Sequence, residues 1–204
     1  MQNYWPFYTN VKDVIGNADL FDGVNASLAN DQFGKPSSVL SLVNGYYKVP
    51  NGVYFSGDFT IMVWIKVRNY NSWSRIIDFS LGQTNCVAFS ISGDNVGRPM
   101  CEIFSTQHTW RVESTIELGL NTWVHFTCTL AQTSGAIYRN GLIVSNTVIA
   151  YTAGPQNVVR NSNFIGRGNW QNQDADADFD ELKIFNRALS QQEIVDEMNN
   201  NMFQ

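Results

Sequence analysis

The sequence contains few charged residues and has no basic block. Charged side chains make up 15% of the chain, and the formal net charge is −5. Surfaces that bind nucleic acids or anionic membranes need clustered lysine and arginine, so neither partner is expected. No apolar run approaches the roughly 20 residues of a membrane-spanning helix, so membrane insertion is not expected either.

Cysteine and histidine are also scarce, which excludes several kinds of site. The three cysteines are an odd number without CxxC spacing, which argues against a zinc site. Buried free thiols are predicted, and the alternative is one disulfide with one cysteine left over. Neither of the two histidines lies in a nucleophile motif, and no glycine-rich nucleotide-binding motif occurs.

Aromatic residues and short apolar runs are abundant, whereas long helix-period runs are missing. This pattern predicts an all-β fold, a two-sheet antiparallel β-sandwich, formed as a single domain over residues 1–204. The segments 59–67 and 123–130 are apolar on both faces, so we expect central strands with Trp64 and Trp123 in the core. Ser190 and Glu193 form a capping-box pattern, which predicts a short C-terminal helix over about 191–199.

The most distinctive stretch is an acidic run near the C-terminus. Carboxylates recur at 174, 176, 178 and 180, so a strand would place all four on one face, together with Leu182 and Ile184. Because leucine and isoleucine mark a buried face, we expect the last aspartates to face inward at the rim of the core. Such carboxylates need a partner, which can be backbone amides, a basic side chain or a metal ion.

Five motifs appear in an order that resembles one family. They occupy residues 56–65, 121–125, 137–143, 164–166 and 179–190. The chain resembles, from about Tyr4 to Met198, a laminin-G-like jelly-roll domain of the concanavalin A-like lectin/glucanase superfamily, near the pentraxin and laminin-G/neurexin branches. The resemblance implies a jelly roll and an extracellular or cell-surface binding role within a longer chain. Such domains bind sugars, proteins or sulfated glycans, many hold calcium at one rim, and some relatives hydrolyse glycans.

A calcium site is expected where the two ends of the chain meet. In this kind of fold the first and last strands pair antiparallel, which would bring the loop 9–34 close to the acidic run. Calcium prefers six to eight oxygen ligands. The predicted ligands are Asp22, Asp178 and Asp180, and the alternative set has Asp13 and Asn17 in place of Asp22. The alternative is that Asp180 caps backbone amides of that loop.

Three tryptophans lie in polar surroundings with an arginine close in sequence. An indole ring can stack on the C–H face of a sugar while polar side chains bind its hydroxyl groups. The rim loops 68–74, 105–111 and 167–174 would present these residues, and the alternative is that the tryptophans cover the end of the sandwich. The predicted ligand-binding residues are Trp73, Trp110, Arg111 and Trp170.

The predicted function is a non-enzymatic extracellular recognition or adhesion module that binds a glycan or glycoconjugate with the help of Ca2+. The alternative is a protein–protein adhesion domain of a larger secreted or cell-surface protein. A glycoside hydrolase needs two carboxylates that flank the scissile bond. Glu102 and Glu113, in predicted strands, lack the Glu-x-Asp-x-Glu spacing of the retaining glucanases in this superfamily, which argues against hydrolysis.

Overall fold

The computed structural model describes residues 1–82, 84–93, 96–105, 109–148, 154–170 and 173–200. These residues form thirteen strands and one helix: β1 (Asn3–Trp5), β2 (Phe21–Ala29), β3 (Val39–Val49), β4 (Phe59–Asn69), β5 (Arg75–Leu81), β6 (Thr84–Ser90), β7 (Met100–Phe104), β8 (Thr109–Glu113), β9 (Trp123–Ala131), β10 (Ser134–Arg139), β11 (Leu142–Val148), β12 (Ser162–Ile165), β13 (Ala175–Phe185) and α1 (Gln191–Asn199).

The strands form an antiparallel sandwich whose two layers share one strand. The hydrogen-bonded order is β11-β10-β9-β4-β13-β3-β12-β5-β6-β7-β8, with β1 added to β13 and β2 added to β3. The first half of β3 pairs with β13 and its second half pairs with β12, so β3 links the first layer to the second. The rings of Phe89 in β6 and Phe126 in β9 are 6.4 Å apart, which shows that the layers face each other. The predicted two-layer sandwich is confirmed.

The ends of the chain lie side by side, as predicted. Strand β1 pairs antiparallel with β13, and Trp5 is opposite Leu182. The segment 9–34 differs from the prediction because it is not all loop. It contains β2, which runs along the edge of β3. Only Ala26 and Leu28 of β2 pack against the core. The rest of β2 includes glycine, asparagine and aspartate, so its sequence lacks the apolar alternation that would predict a strand.

The residues of strand β13 that face the core are not those predicted. Ala175, Ala177 and Phe179 belong to the core, so the alternating aspartates point away from it. The register with β4 then shifts after Asp180, and Glu181 adopts a φ of 53°. This β-bulge inserts one residue, which returns the following leucine and isoleucine to the core. The aspartates therefore lie on the outer face, and the prediction that they face inward is wrong.

Helix α1 covers part of the outer face of the first layer. Its capping box is present: the Ser190 side chain accepts from the backbone of Glu193, whose side chain accepts from the Ser190 backbone. Ile194 is buried against Met62 of β4 and Phe185 of β13. No helix in the described part of the chain is long and apolar enough to cross a membrane.

The cysteines are buried free thiols, as predicted. Cys101 in β7 and Cys128 in β9 belong to the same core cluster, and their thiols hydrogen-bond to each other between the layers. Burial, followed by this hydrogen bond, raises the pKa of Cys101. Cys86 is on the outer side of β6, where its thiol contacts the Asp78 carboxylate at 3.2 Å.

Candidate functional site

A cleft of about 250 Å³ opens on the outer face of the second layer. We call it the Trp73–Trp170 cleft. Three of the four predicted ligand-binding residues line it, and only Trp110 does not. The lining residues are Trp73, Arg75, Glu102, Phe104, Arg111 and Trp170.

Strand alternation explains how these side chains meet. Cys101 and Ile103 of β7 point into the core, so Glu102 and Phe104 between and after them point outward. Arg111 of β8 is directly opposite Glu102 in the antiparallel ladder. The two half-buried tryptophans come from the loops before β5 and after β12, and they form the walls.

Trp110 lies in the core instead of the cleft. It is 4% exposed, and its ring lies over Gly135 of β10 so closely that a Cβ there would approach the ring to 1.8 Å. Its polar sequence neighbours, Thr109 and Arg111, lie on the opposite face of the same strand. They led to the prediction that Trp110 is exposed. The predicted ligand contact of Trp110 is therefore wrong.

An ion pair forms the floor of the cleft. The Nε and Nη2 atoms of Arg111 lie 2.8 and 2.6 Å from Oε1 of Glu102. The Nη2 atom of Arg75 is 3.9 Å from Oε2 of the same carboxylate. Arg75 and Glu102 are almost fully buried, whereas the Arg111 side chain is 37% exposed. Because guanidinium has five N–H donors, Arg111 can donate to a ligand while it keeps Glu102.

The two arginines also lie against the indole walls. The Arg75 guanidinium is 5.4 Å from the centre of the Trp73 ring and 5.9 Å from that of Trp170. The Arg111 guanidinium is 5.8 Å from the Trp73 ring. These are cation–π distances, so the charged groups hold both rings at the sides of the cleft.

Buried Asp78 positions the loop that carries Trp170. Its carboxylate accepts from the backbone N–H of Asn169 at 3.1 Å and from Nδ2 of Asn169 at 2.8 Å. Arg167 binds Asp174 at 2.8 and 2.7 Å, which closes the loop at its base. The Trp170 ring packs on Phe104 with centroids 5.5 Å apart. Residues 106–108 and 171–172 of the predicted rim loops lie outside the described residues.

Sequence reasoning missed three contributors to this site, Asp78, Glu102 and Phe104, and noted Arg75 only as the arginine close to Trp73. Arg75 follows Trp73 by two residues, which is a usable signal. Glu102 and Phe104 alternate with core residues on β7, so a correct assignment of strand faces would have found them. The contact between Asp78 and Asn169 joins residues 91 positions apart, and no local pattern predicts it.

The three predicted calcium ligands do not come together. Asp22 is exposed and pairs with Lys48 at 2.9 Å. Two positions on β3 show the separation of Asp22 from Asp178. Phe21, the residue before Asp22, is opposite Lys48, whereas Asp178 is opposite Ser41. At the spacing of residues in a strand, these positions of β3 are roughly 20 Å apart.

Asp178 is already neutralised by basic side chains. Lys66 Nζ lies 2.8 Å from one carboxylate oxygen, and Arg68 Nη1 hydrogen-bonds to the other. Burial alone would raise the pKa of Asp178, but the hydrogen bonds from Lys66, Ser41 and Arg68 outweigh it and hold the pKa below its usual value. A basic side chain is thus the partner that the acidic run requires.

Asp180 lies on the same face as Asp178 and borders a small pocket beside Trp64 and Trp123. The prediction that both tryptophans are in the core is wrong: they are half-buried here, because Val63 and Ile65 beside Trp64 take the core positions. Its carboxylate accepts a hydrogen bond from the backbone of its neighbour Glu181. In the part of the chain that the structure describes, no group of three His, Cys, Asp or Glu side chains is arranged to hold a metal ion. The three predicted ligands therefore do not fit a shared calcium site, and calcium binding stays an untested prediction.

The fold and its motifs identify the family. The model of the concanavalin A-like lectin/glucanases superfamily matches residues 42–195, and the chain belongs to this family. A comparison with curated proteins finds no match.

Solved structures share the fold at low sequence identity. Domain 4 of AbnA, a GH43 extracellular arabinanase from Geobacillus stearothermophilus solved with arabinotriose, is 16% identical with a TM-score of 0.80, and the alignment covers 96% of this chain and 97% of that domain. The binding domain of Paraclostridial Mosquitocidal Protein 1 is 20% identical with a TM-score of 0.69, at 92% and 49% coverage. A structure on the entry of botulinum neurotoxin type C into cells, which depends on two ganglioside molecules, is 15% identical with a TM-score of 0.74, at 98% and 51% coverage. The chain thus spans about half of each toxin structure.

Proposed function

We propose that this chain is a non-enzymatic glycan-binding module and that the Trp73–Trp170 cleft holds the sugar. The proposal rests on one observation: the indole rings of Trp73 and Trp170 lie on either side of a floor of charged, hydrogen-bonding groups. An indole ring covers the apolar face of a sugar ring, while the exposed part of the Arg111 guanidinium binds its hydroxyl groups. The cleft is smaller than typical pockets for drug-sized ligands, which span roughly 300–1,000 Å³. One or two sugar rings of a glycan therefore fit.

The carboxylates favour binding over hydrolysis. Glycosidases place two carboxyl groups roughly 5–10 Å apart on either side of the scissile bond. Among the described residues that line the cleft, Glu102 alone carries a carboxylate, and Arg111 binds it at 2.6 Å. Glu102 exposes no surface and is held by Arg111, so it is not placed to protonate a leaving group.

Similar structures support a glycan as the ligand class. The arabinanase domain was solved with arabinotriose, and the neurotoxin study concerns gangliosides. The arabinanase is extracellular, and we propose the same location for this chain. Calcium is a separate proposal, since the described carboxylates do not supply a ligand set.

Titration calorimetry with two probes tests the glycan proposal. Arabinotriose serves as a neutral probe and a ganglioside headgroup oligosaccharide as a sialylated one, each measured with calcium and with chelator. Trp73→Ala and Trp170→Ala should each weaken binding at least tenfold, because each substitution removes a stacking face together with the apolar area that the sugar buries on it. Phe21→Ala is the matched control, since Phe21 is an exposed aromatic residue far from the cleft on β2.

Three results of this experiment are decisive. Equal loss in the Phe21 variant would show that the effect is not specific to the cleft. Binding that persists in both tryptophan variants would move the glycan to another surface. If chelator abolishes binding, calcium assists it. If the affinities with calcium and with chelator are equal, calcium does not assist the binding of these probes.

Protein–protein adhesion is the second candidate, and one surface favours it. Leu142, Ile143 and Val148 on the outer strand β11 are 65%, 47% and 79% exposed. Exposed apolar side chains on one strand suit a flat protein contact. Adhesion through this surface should be insensitive to competing sugars and should fail in Leu142→Ser, whereas glycan binding should not change in that variant.

A further inference from the structure

The charges around the Trp73–Trp170 cleft balance one another. Two guanidinium groups line the cleft, those of Arg75 and Arg111, together with the carboxylate of Glu102. A second carboxylate lies beside it, because Oδ2 of Asp78 is 3.8 Å from Nε of Arg75. The formal charges of these four side chains sum to zero, although the cleft contains two arginines.

Both positive charges are held close to carboxylates. The Nε and Nη2 atoms of Arg111 bind Glu102 at 2.8 and 2.6 Å. Arg75 lies between the two carboxylates, 3.9 Å from Oε2 of Glu102 and 3.8 Å from Oδ2 of Asp78. Arg75 and both carboxylates are buried, so solvent screens these charges less than it screens pairs on the surface. At the distance of a ligand, the carboxylates therefore cancel much of the attraction that the guanidinium groups exert on an anion.

Arg111 is the charged side chain of the cleft that a ligand reaches most easily. It is 37% exposed, whereas Arg75 is 3% and Glu102 is 0% exposed. Arginine recognises a carboxylate best through two parallel N–H donors, and the Nε–Nη2 edge of Arg111 already binds Glu102. A ligand carboxylate at another edge would also lie close to Glu102. Like charges in one site disfavour each other, so repulsion from Glu102 offsets the attraction to Arg111.

A neutral sugar avoids this conflict. Its hydroxyl groups accept hydrogen bonds from guanidinium N–H groups, and they lose less hydration on burial than a carboxylate does. Its contact with the indole rings of Trp73 and Trp170 needs no charge on the ligand. An acidic sugar would lose the hydration of its carboxylate without meeting a net positive charge.

We propose that the Trp73–Trp170 cleft selects neutral sugars and rejects sugars that carry a carboxylate, such as uronic and sialic acids. This inference rests on the proposed glycan function, because it names the class of glycan that the cleft takes. Glu102 is the residue that determines this specificity, since its charge balances that of Arg111 where the ligand binds.

Pairs of trisaccharides that differ only at C6 test the selectivity. One pair is α-1,4-galactotriose and trigalacturonic acid, and the other is cellotriose and its C6-oxidised form. Arabinotriose is the neutral reference. Titration calorimetry on the full chain should show that the neutral member binds about tenfold or more tightly than the acidic member, because opposed like charges weaken binding.

A single substitution tests whether Glu102 causes the selectivity. Glu102→Gln keeps the size of the side chain and an oxygen that can accept from Arg111, but it leaves the cleft with one net positive charge. The affinity for the acidic member, relative to the neutral one, should rise about tenfold or more. Glu113→Gln is the matched control, because Glu113 is on the same outward face of β8 and does not line the cleft. This variant should discriminate as the parent does.

The outcomes separate this inference from the glycan function. A parent chain that binds the acidic member as tightly as the neutral one, or more tightly, would overturn the selectivity and leave the glycan function standing. A parent chain that binds neither arabinotriose nor any member of the two pairs would contradict the glycan function and the selectivity together. If Glu102→Gln, shown to be folded by its melting temperature, discriminates as the parent does, Glu102 does not determine the specificity.

Discussion

At the scale of single residues, identical side chains two positions apart have opposite electrostatic properties. Asp178 binds Lys66 and Arg68, so its pKa is held below its usual value despite burial. Asp180 has no such partner, and burial together with the charge of Glu181 raises its pKa to about 8. The difference comes from the cations on β4, since Lys66 is opposite Asp178 whereas Trp64 is opposite Asp180.

This contrast predicts how stability depends on pH. An unfolded aspartate titrates near pH 3.9, so between that pH and about 8 the folded chain holds an extra proton on Asp180. The contribution of Asp180 is fully present below the unfolded pKa and is lost as the pH rises through the folded pKa. We expect the melting temperature to fall between pH 6.5 and about 8, to level off above that pH because both states are then deprotonated, and to fall less in Asp180→Asn.

Two other titrating residues, Glu181 and His125, also affect how stability depends on pH. The pKa of Glu181 is also raised, chiefly by burial, so it acts in the same direction. Burial lowers the pKa of His125 to about 3, which confines its effect to pH values below its unfolded pKa of roughly 6.5. Asp176→Asn should keep the pH dependence of the parent, and an Asp180→Asn variant that also kept it would contradict the assignment.

At the scale of elements, one inserted residue decides what β13 presents to solvent. Because side chains alternate along a strand, a shift by one position exchanges the two faces. The bulge at Asp180–Glu181 makes this exchange inside a single strand. It keeps both halves of β13 apolar toward the core and places two carboxylates together outside.

The backbone of strand β3 approaches strand β2 closely at Gly45, where there is no room for a side chain. A Cβ at Gly45 would lie 2.4 Å from the carbonyl oxygen of Asn25 and 2.5 Å from that of Val24. Gly45→Ala therefore has to displace β2 and should lower the free energy of unfolding by about 1–3 kcal/mol. Urea unfolding followed by tryptophan fluorescence measures the change.

The matched control for this substitution is Gly154→Ala. Its Cβ would meet its nearest neighbour, the Cα of Gly57, at 3.4 Å, which is an ordinary contact. The stability of this variant should stay within about 0.5 kcal/mol of the parent. Equal effects of the two substitutions would show that the close approach at Gly45 does not matter.

At the scale of the whole molecule, the sandwich separates two outer faces that carry different chemistry. The second layer carries the Trp73–Trp170 cleft with its ion-paired floor, and the first layer carries a smaller pocket lined in part by Trp64, Trp123 and Asp180. The core between them is continuous and contains two of the three thiols.

Burial of the thiols predicts their reactivity. All three cysteines are free and buried, and burial raises the pKa of Cys86 and Cys101. Because the thiolate is the reactive form, a thiol-specific colorimetric reagent should modify none of them in the native protein and all three in denaturant. Fast modification of one thiol in native conditions would show that the sandwich opens locally, and fewer than three in denaturant would indicate a disulfide.

The sequence by itself determined the all-β architecture and the capped helix, because alternation, turn residues and capping patterns are local. Its motifs also indicated the family, and the resemblance to that family implied the pairing of the chain ends. It also pointed to Trp73, Arg111 and Trp170 at the site. The tertiary structure alone decided that Trp110 faces inward, that the aspartates face outward and that basic side chains from β4 neutralise Asp176 and Asp178. These outcomes depend on register and on one bulge, and the partners that stabilise them come from residues distant in the chain.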